Sequence, residues 1–439
     1  MDSIYEHIRK LSHGYPINNL GITRGYDSFE FSTYGVRIPI LYNCIQNKGD
    51  DMGSNTTFNE QSLIETLQDF VRYPSQQTEL QESDPHVKAF IKECAAPRLI
   101  AMGMEIRYDK MGNLIAEIGP RNGRSLMFVG YAMTHPAARM EDPFSATVVD
   151  SPRGKAVRGR GVAEQKTALA AAFGALEKAI NNNQLGGRLI FALTTAGETG
   201  RHDAIESVMA ELEEPPESVI ILVGTDSKIA IGNKGRIDFE VIVKGKTSHS
   251  SAPWNGINAI SGAQRVLSEL EALDLGVPDH PAFGPATLTP TAIDSSPKAT
   301  HTVPDVVKIV FDRRLLPGEE PMEALASIKS AVTLPAPWKV EFELGPVMYP
   351  NELSLESEFF KRLTEAFDYG IAVAPDTFHC NFALDAGYFC RRGIPAVMLG
   401  PGEVDQFHSN EEHVLIKDLI DMSKVYYSLI ERSLPNTGA

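Results

Sequence analysis

Residues 237–245, IDFEVIVKG, alternate apolar and polar side chains with period two, as a half-buried strand does. A helical pattern follows in GINAISGAQRVLSELEAL (256–273), then the strand-like runs ATLTPTAID (286–294) and VVKIVFDRR (306–314). MEALASIKSAV (322–332) returns to helical spacing, and WKVEFELG (338–345) reads as a last strand. Strand, helix, strand, strand, helix, strand is the order of a split βαβ, or ferredoxin-like, α+β unit. It is expected to span 237–347.

On both sides of this unit the rhythm differs. Upstream, Leu63, Ile64, Leu67, Phe70 and Val71 recur at helical spacing, and a second helix is expected over about 86–102. Buried strands MGNLIAEIG (111–119), SLMFVGYA (125–132), GRLIFALTT (187–195) and SVIILVG (218–224) then alternate with the helices KTALAAAFGALEKAI (166–180) and AIESVMAEL (204–212). Downstream the same alternation resumes with SEFFKRLTEAFDYG (357–370), PAVMLG (395–400) and IKDLIDMSKVYYSLIERSL (416–434). An α/β fold follows, with a mixed sheet sandwiched by helices. Its expected extent is 58–236 and 348–439, with the smaller unit inserted as a lid. Residues 1–57 lack this periodicity and form an N-terminal extension, in which His7 and His13 read as packing or surface residues.

Bulk properties bound the function. A chain of 439 residues with 43% hydrophobic and 22% charged residues forms globular domains, more than one of them. A formal charge of −16 disfavours nucleic acid, whose phosphates need clustered Lys and Arg. Cys44, Cys94, Cys380 and Cys390 form no CxxC pair, which fits a reducing compartment, and the last two are expected as buried free thiols. The start of the chain has no apolar signal-peptide core and no run is long enough to span a bilayer, so a cytoplasmic protein without membrane contact is expected.

In open α/β sheets, ligands bind beyond the carboxyl ends of the strands. Three residues fall on that rim: Glu164 before the Ala-rich helix, Glu198 after GRLIFALTT, and His408 after PAVMLG. Two carboxylates and an imidazole suit a divalent transition ion. Each alone has a plain structural reading, as a helix-start acid or a loop histidine. Their coincidence at strand and helix ends favours a metal site.

The motifs carrying these residues resemble those of the metallopeptidase family of aminoacylase, acetylornithine deacetylase and succinyl-diaminopimelate desuccinylase. They are DPF (142–144), GRGVAEQKTALAAA (159–172), TTAGETG (194–200), KGKTSHSSAPWNGINAI (244–260), HTVPDVVKIVFDRRLLPGE (301–319) and GIPAVMLGPGEVDQFHSNEEHV (393–414). The resemblance implies a catalytic domain with a lid and dimerisation domain, a small-molecule substrate and a homo-oligomer built on dimers. It also implies a two-metal site, from which this chain departs. The usual HxD reads Tyr131-Ala132-Met133, the bridging aspartate is Glu164, and the usual Glu-Glu pair is Gly197-Glu198, which deletes the general base. The later Glu-Pro reads Thr225-Asp226.

Sorted by metal, the losses fall on one site, and Glu164, Glu198 and His408 remain for the other. One divalent ion per subunit, manganese or zinc, is therefore expected. His135, Asp226 or a substrate carboxylate is the expected stand-in for the base, and Asp226 is also the residue that would restore a second metal. By the same resemblance His249, Arg314, His301 and Tyr131 are expected to bind substrate, His249 from the lid of a neighbouring subunit. The expected function is single-metal hydrolysis of a C–N bond in a small carboxylate-bearing substrate. Its specific form follows the site logic of an aminohydrolase of this scaffold acting on 5-nitroanthranilic acid, giving 5-nitrosalicylate and ammonia. The alternatives are a two-metal N-acyl amino acid amidohydrolase or peptidase and an inactive binding or scaffold protein.

Overall fold

The computed structural model describes residues 58–436 except 122, 183, 184 and 198, together with the backbone of three short strands nearer the start. Those strands, Gly21–Arg24, Phe29–Thr33 and Val36–Pro39, pair antiparallel in sequence order. They belong to a first unit, Met1–Thr56; all that follows lies in a second unit, Thr57–Ala439. His7, His13 and Cys44 lie outside the described residues.

A nine-stranded mixed sheet forms the centre of the second unit. Ser125–Tyr131, Arg188–Thr194, Ser218–Ile221 and Ala396–Met398 run parallel in its middle. The first two are buried along their whole length, as expected of strands covered on both faces. Leu126, Phe128, Phe191 and Ile220 face one apolar core, packed by the helices Glu60–Arg72, Thr167–Asn181 and Ile416–Ser433. Met127, Val129, Ile190 and Ile221 face the other, closed by the helices Asp203–Ala210 and Ala386–Cys390.

The helix Glu60–Arg72 starts on an Asn59 cap that accepts the Ser62 N–H, and buries Leu63, Leu67, Phe70 and Val71. Its last carbonyls are held from below by Lys166. That fully buried ammonium donates to the Phe70 and Tyr73 carbonyls, and burial pulls its pKa down to about 7.

Residues 235–348 supply the antiparallel four-stranded sheet expected of the inserted unit. Its spatial order is Thr287–Ser296, Val306–Leu315, Gly235–Lys244, Lys339–Met348, the order of a split βαβ. Helices Ala259–Glu271 and Pro321–Ala331 pack on one face around Phe239, Val241, Ile309 and Phe311. His280 and His379 both meet the Glu352 carboxylate, at 3.3 and 3.0 Å, and tie this unit to the larger sheet.

Cys94 and Cys380 are buried, their thiols pushed up to about 11 and about 12 by burial. Cys390 is only half-buried, which corrects the expectation of a second buried thiol there; it ends a short helix whose buried face is carried by Tyr388 and Phe389. No helix among the described residues is long and apolar enough to cross a membrane.

Candidate metal centre

Glu164 lies in a π-helical turn, Val162–Lys166, that opens the Ala-rich helix. The turn begins at Gly161 (φ +79°), where a Cβ would collide with Thr134, and is closed by the Lys166 N–H donating to the Gly161 carbonyl at 2.8 Å. Opposite it, His408 has φ +61°, a left-handed conformation unusual outside glycine. Its Nε2 stands 3.4 Å from Glu164 Oε1. The His135 ring stacks on His408 with centroids 3.7 Å apart and planes within 14°. His135 Nδ1 lies 3.0 Å from the Pro136 carbonyl, to which it can donate.

A carboxylate oxygen and an imidazole nitrogen are suitable donors for a divalent transition ion. Two ligands each about 2.1 Å from one tetrahedral ion stand about 3.4 Å apart, and Glu164 and His408 have that spacing. Glu164 is largely covered, while His408 keeps 43% of its side chain exposed, so the pair opens to solvent on one side. Among the described residues no group of three or more His, Cys, Asp and Glu side chains is arranged to hold a metal ion. Glu198, the third expected ligand, lies outside them, between Gly197 and Thr199 in the chain.

One buried residue missed in the sequence reading holds this pair in place. Glu412, 1% exposed, accepts the Gly161 and Ala163 N–H groups at 2.9 Å, the Glu164 N–H at 3.4 Å, and Arg160 Nη1 at 2.9 Å. Burial pushes its carboxyl up, against those donors and the guanidinium. Glu412 follows His408 by four positions, so its side chain fastens the segment that carries His408 to the turn that carries Glu164. Its place after HSNE in the same motif as His408 was the available signal.

The other half of the rim is arranged differently. Tyr131 is buried and its hydroxyl donates to Asp385 Oδ2 at 2.9 Å; Asp385 Oδ1 meets His202 Nδ1 at 2.7 Å. The Tyr131 hydroxyl, expected to bind substrate, here serves a buried carboxylate. Met133 is fully buried and its carbonyl accepts the Gln165 amide. A Cβ at Gly197 would collide with that same carbonyl, so the position has no room for a side chain. Thr225 Oγ1 is buried on the Lys228 and Gly400 carbonyls.

The remaining expected residues have other partners. Asp226 accepts the Val404 N–H at 2.8 Å and lies 3.6 Å from Lys228 Nζ. Arg314 grips Asp312 with Nε and Nη2 at 2.8 and 3.0 Å, and its Nη1 lies 3.5 Å from the Asn381 carbonyl. His249 and His301 are exposed on the inserted unit, ring centroids 5.9 Å apart, and His249 Nδ1 accepts the Ser251 N–H at 3.2 Å. Phe407, beside His408, faces Phe382 at 6.5 Å; neither entered the sequence reading.

Comparison with known proteins agrees with this architecture. Residues 231–340 match the peptidase dimerisation domain family, M20_dimer. The chain is 26% identical over 344 residues to succinyl-diaminopimelate desuccinylase of Phenylobacterium zucineum, covering 74% of this chain and 88% of that protein. It is 29% identical over 325 residues to acetylornithine deacetylase of Myxococcus xanthus, covering 71% and 81%. The crystal structure of an M20 family metallo-carboxypeptidase, Sso-CP2 of Sulfolobus solfataricus, superposes with a TM-score of 0.69 at 17% identity, covering 84% of this chain and 99% of that one, and so shares its fold.

Proposed function

We propose that this chain is a hydrolase of the M20 metallopeptidase type, which hydrolyses a C–N bond in a small carboxylate-bearing substrate with one divalent ion per subunit; the match to the M20 dimerisation domain and the likeness to the desuccinylase and deacetylase support this reading. The observation that carries the reading is the 3.4 Å Glu164–His408 pair, which has the spacing of two ligands on a shared ion. Glu164, Glu198 and His408 would hold the ion, manganese or zinc. Bound there, it supplies Lewis acidity and lowers the pKa of water to about 7. The chain's own residues do the rest. Glu412 and the π-helical turn fix Glu164, and His135 Nε2 takes the proton that a carboxylate at Gly197 would otherwise take. Asp226 is poorly placed for that role, being engaged with Val404 and Lys228.

Amide hydrolysis is the leading substrate class, because the curated relatives are named for desuccinylation and deacetylation. Hydrolytic replacement of an aromatic amine, as in 5-nitroanthranilate to 5-nitrosalicylate, is the second reading. The Phe407–Phe382 pair beside His408 favours it, since such faces accept a planar ring. The family match to a dimerisation domain supports a homodimer, with His249 and His301 offered from the surface of one subunit to the other.

Metal analysis of purified protein tests the site: about one ion per chain is expected, and two tightly held ions would overturn the single-metal reading. His408→Ala is expected to lose both the ion and turnover. A side-by-side assay with N-acyl amino acids and 5-nitroanthranilate, reading released amine and ammonia, decides between the two substrate classes.

A further inference from the structure

His135 and His408 stack although they lie on loops after different strands, Ser125–Tyr131 and Ala396–Met398. The segment Thr134–Ala137 lies outside the helices and strands, so the placing of the His135 ring starts from the bonds at its two ends. At the near end Thr134, fully buried, forms a parallel bridge with Gln76. Its N–H donates to the Ser75 carbonyl at 2.9 Å, and its carbonyl accepts the Gln77 N–H at 2.7 Å. At the far end the Ala137 N–H donates to Gln76 Oε1 at 2.8 Å. The Ala137 carbonyl accepts the Met140 N–H at 3.0 Å and Arg160 Nη2 at 3.2 Å. Gln76 thus brackets His135: its flanking peptide groups hold the residue before it, and its side chain holds the residue two after it. Between those anchors the chain has little freedom. A residue before proline is held to extended backbone, and Pro136 fixes its own φ.

Both anchors lead back to the turn that carries Glu164. Lys166, in that turn, donates to the Phe70 and Tyr73 carbonyls at 2.8 Å, just ahead of Ser75. Ser75 Oγ donates in turn to the Ala132 carbonyl at 2.7 Å. On the other side Arg160 spans from Glu412 Oε2 to the Ala137 carbonyl. The Glu164 turn is therefore joined to the His135 loop by one route through Lys166 and Gln76 and by another through Glu412 and Arg160. Lys166, Glu412 and Arg160 are buried charges, whereas Gln76 is neutral and half-buried, so it can be changed without stripping a buried charge of its partner. Because a peptide N–H only donates, the atom that meets Ala137 is the amide oxygen.

We propose that Gln76 is a positioning residue for His135: by accepting the Ala137 N–H it holds the His135 ring against His408, where that ring can take a proton. The inference rests on the reading of His135 as the proton acceptor, and it adds a residue that acts through the backbone beside His135. Misplacing a catalytic group by about 1 Å costs about 10²-fold in rate. Loss of the Gln76 bond is therefore read in kcat and in the His135 ring, not in metal content.

The ring stack gives a readout that needs no turnover. In the full-length protein with carbon-13 at histidine Cε1, the His135 resonance, assigned by its loss in His135→Ala, carries a ring-current shift from His408. Gln76→Ala is expected to remove that shift, in metal-free and Zn2+-loaded protein alike. Gln76→Glu keeps an acceptor oxygen at the same reach and is expected to retain it. In the Zn2+-loaded protein, Gln76→Ala is expected to lower kcat about 10- to 100-fold towards whichever of the N-acyl amino acids and 5-nitroanthranilate is turned over. Its dissociation constant for Zn2+ is expected to stay within about threefold of wild type, short of the change that follows from disturbing a metal ligand. Gln76→Glu should keep kcat within about threefold. Adding Gln76→Ala to His135→Ala is expected to cost nothing further, since the two act as one unit. A His135 resonance unmoved by Gln76→Ala overturns the proposal. So does a loss of kcat that adds in full to that of His135→Ala, which would make Gln76 a general brace of the fold. If His135→Ala keeps wild-type kcat while Gln76→Ala still moves the resonance, the proton-acceptor reading falls and the placing of the ring by Gln76 stands.

Discussion

The two halves of the catalytic rim each contain a fully buried carboxylate, and they use it in opposite ways. Glu412 spends its oxygens on backbone N–H groups and Arg160, which leaves the side chains of Glu164 and His408 facing each other and open to solvent. Asp385 spends its oxygens on the side chains of Tyr131 and His202, which removes both from the surface. A buried acid that caps backbone presents functional groups; one that binds side chains consumes them. Met133, Gly197 and Thr225 are likewise packed into backbone. The altered half is thus closed by specific contacts.

The largest expected effect breaks the presenting half. Glu412→Ala leaves the Arg160 guanidinium, 0% exposed, without its carboxylate. Removing one partner of a buried ion pair costs about 3–5 kcal/mol. Urea unfolding of the metal-free protein is expected to show that loss, and metal binding should weaken as well, because Glu164 and His408 lose their common anchor. Full retention of metal affinity in Glu412→Ala would show that the pair is oriented by other contacts.

His135→Ala comes next. If His135 takes the proton, kcat falls about 10²-fold or more while metal content stays at the wild-type level. A fall in metal content instead would make His135 a ligand, and the presenting half would then include three described residues. Gly197→Ala probes the closed half. Its new Cβ collides with the Met133 carbonyl, and overpacking of this kind costs about 1–3 kcal/mol. A Gly197→Glu variant is expected to be destabilised in the same way and to gain no second metal. Tight binding of two ions by that variant would show the closed half to be readily reopened.

Much of the scaffold is legible in the sequence because it rests on local periodicity. The all-buried strands Ser125–Tyr131 and Arg188–Thr194 announce themselves as apolar runs, and Gly235–Lys244 by alternation. The pairing of Glu164 with His408, 244 residues apart, is accessible through the rule that sites gather at strand ends and through the family motifs that carry both residues. Glu412 and Asp385 were not accessible that way. Both are acids whose value lies in burial, and burial of a carboxylate is set by partners far along the chain: Gly161 at 251 residues, Tyr131 at 254. Arg314 shows the converse. Its motif suggests a carboxylate binder, while the strand register places it two residues from Asp312 on the same face, where the acid fills its fork.

Asp226 offers the smallest expected effect and the sharpest test of the comparison. It keeps 39% of its side chain accessible, and it is the residue expected to restore a second metal. In this structure its Oδ1 caps the Val404 N–H at the start of the turn leading to His408, and its backbone is left-handed (φ +55°), a conformation that asparagine adopts readily. Asp226→Asn preserves the cap acceptor and the backbone preference and removes only the charge. Stability is expected to change by no more than about 0.5 kcal/mol. Metal stoichiometry should remain one per chain, and kcat should change less than about threefold. A drop in stoichiometry would mean that Asp226 swings onto an ion when one is present. The closed half would then be a second site in waiting, and the contrast with Glu412 and His408 would be one of occupancy rather than construction.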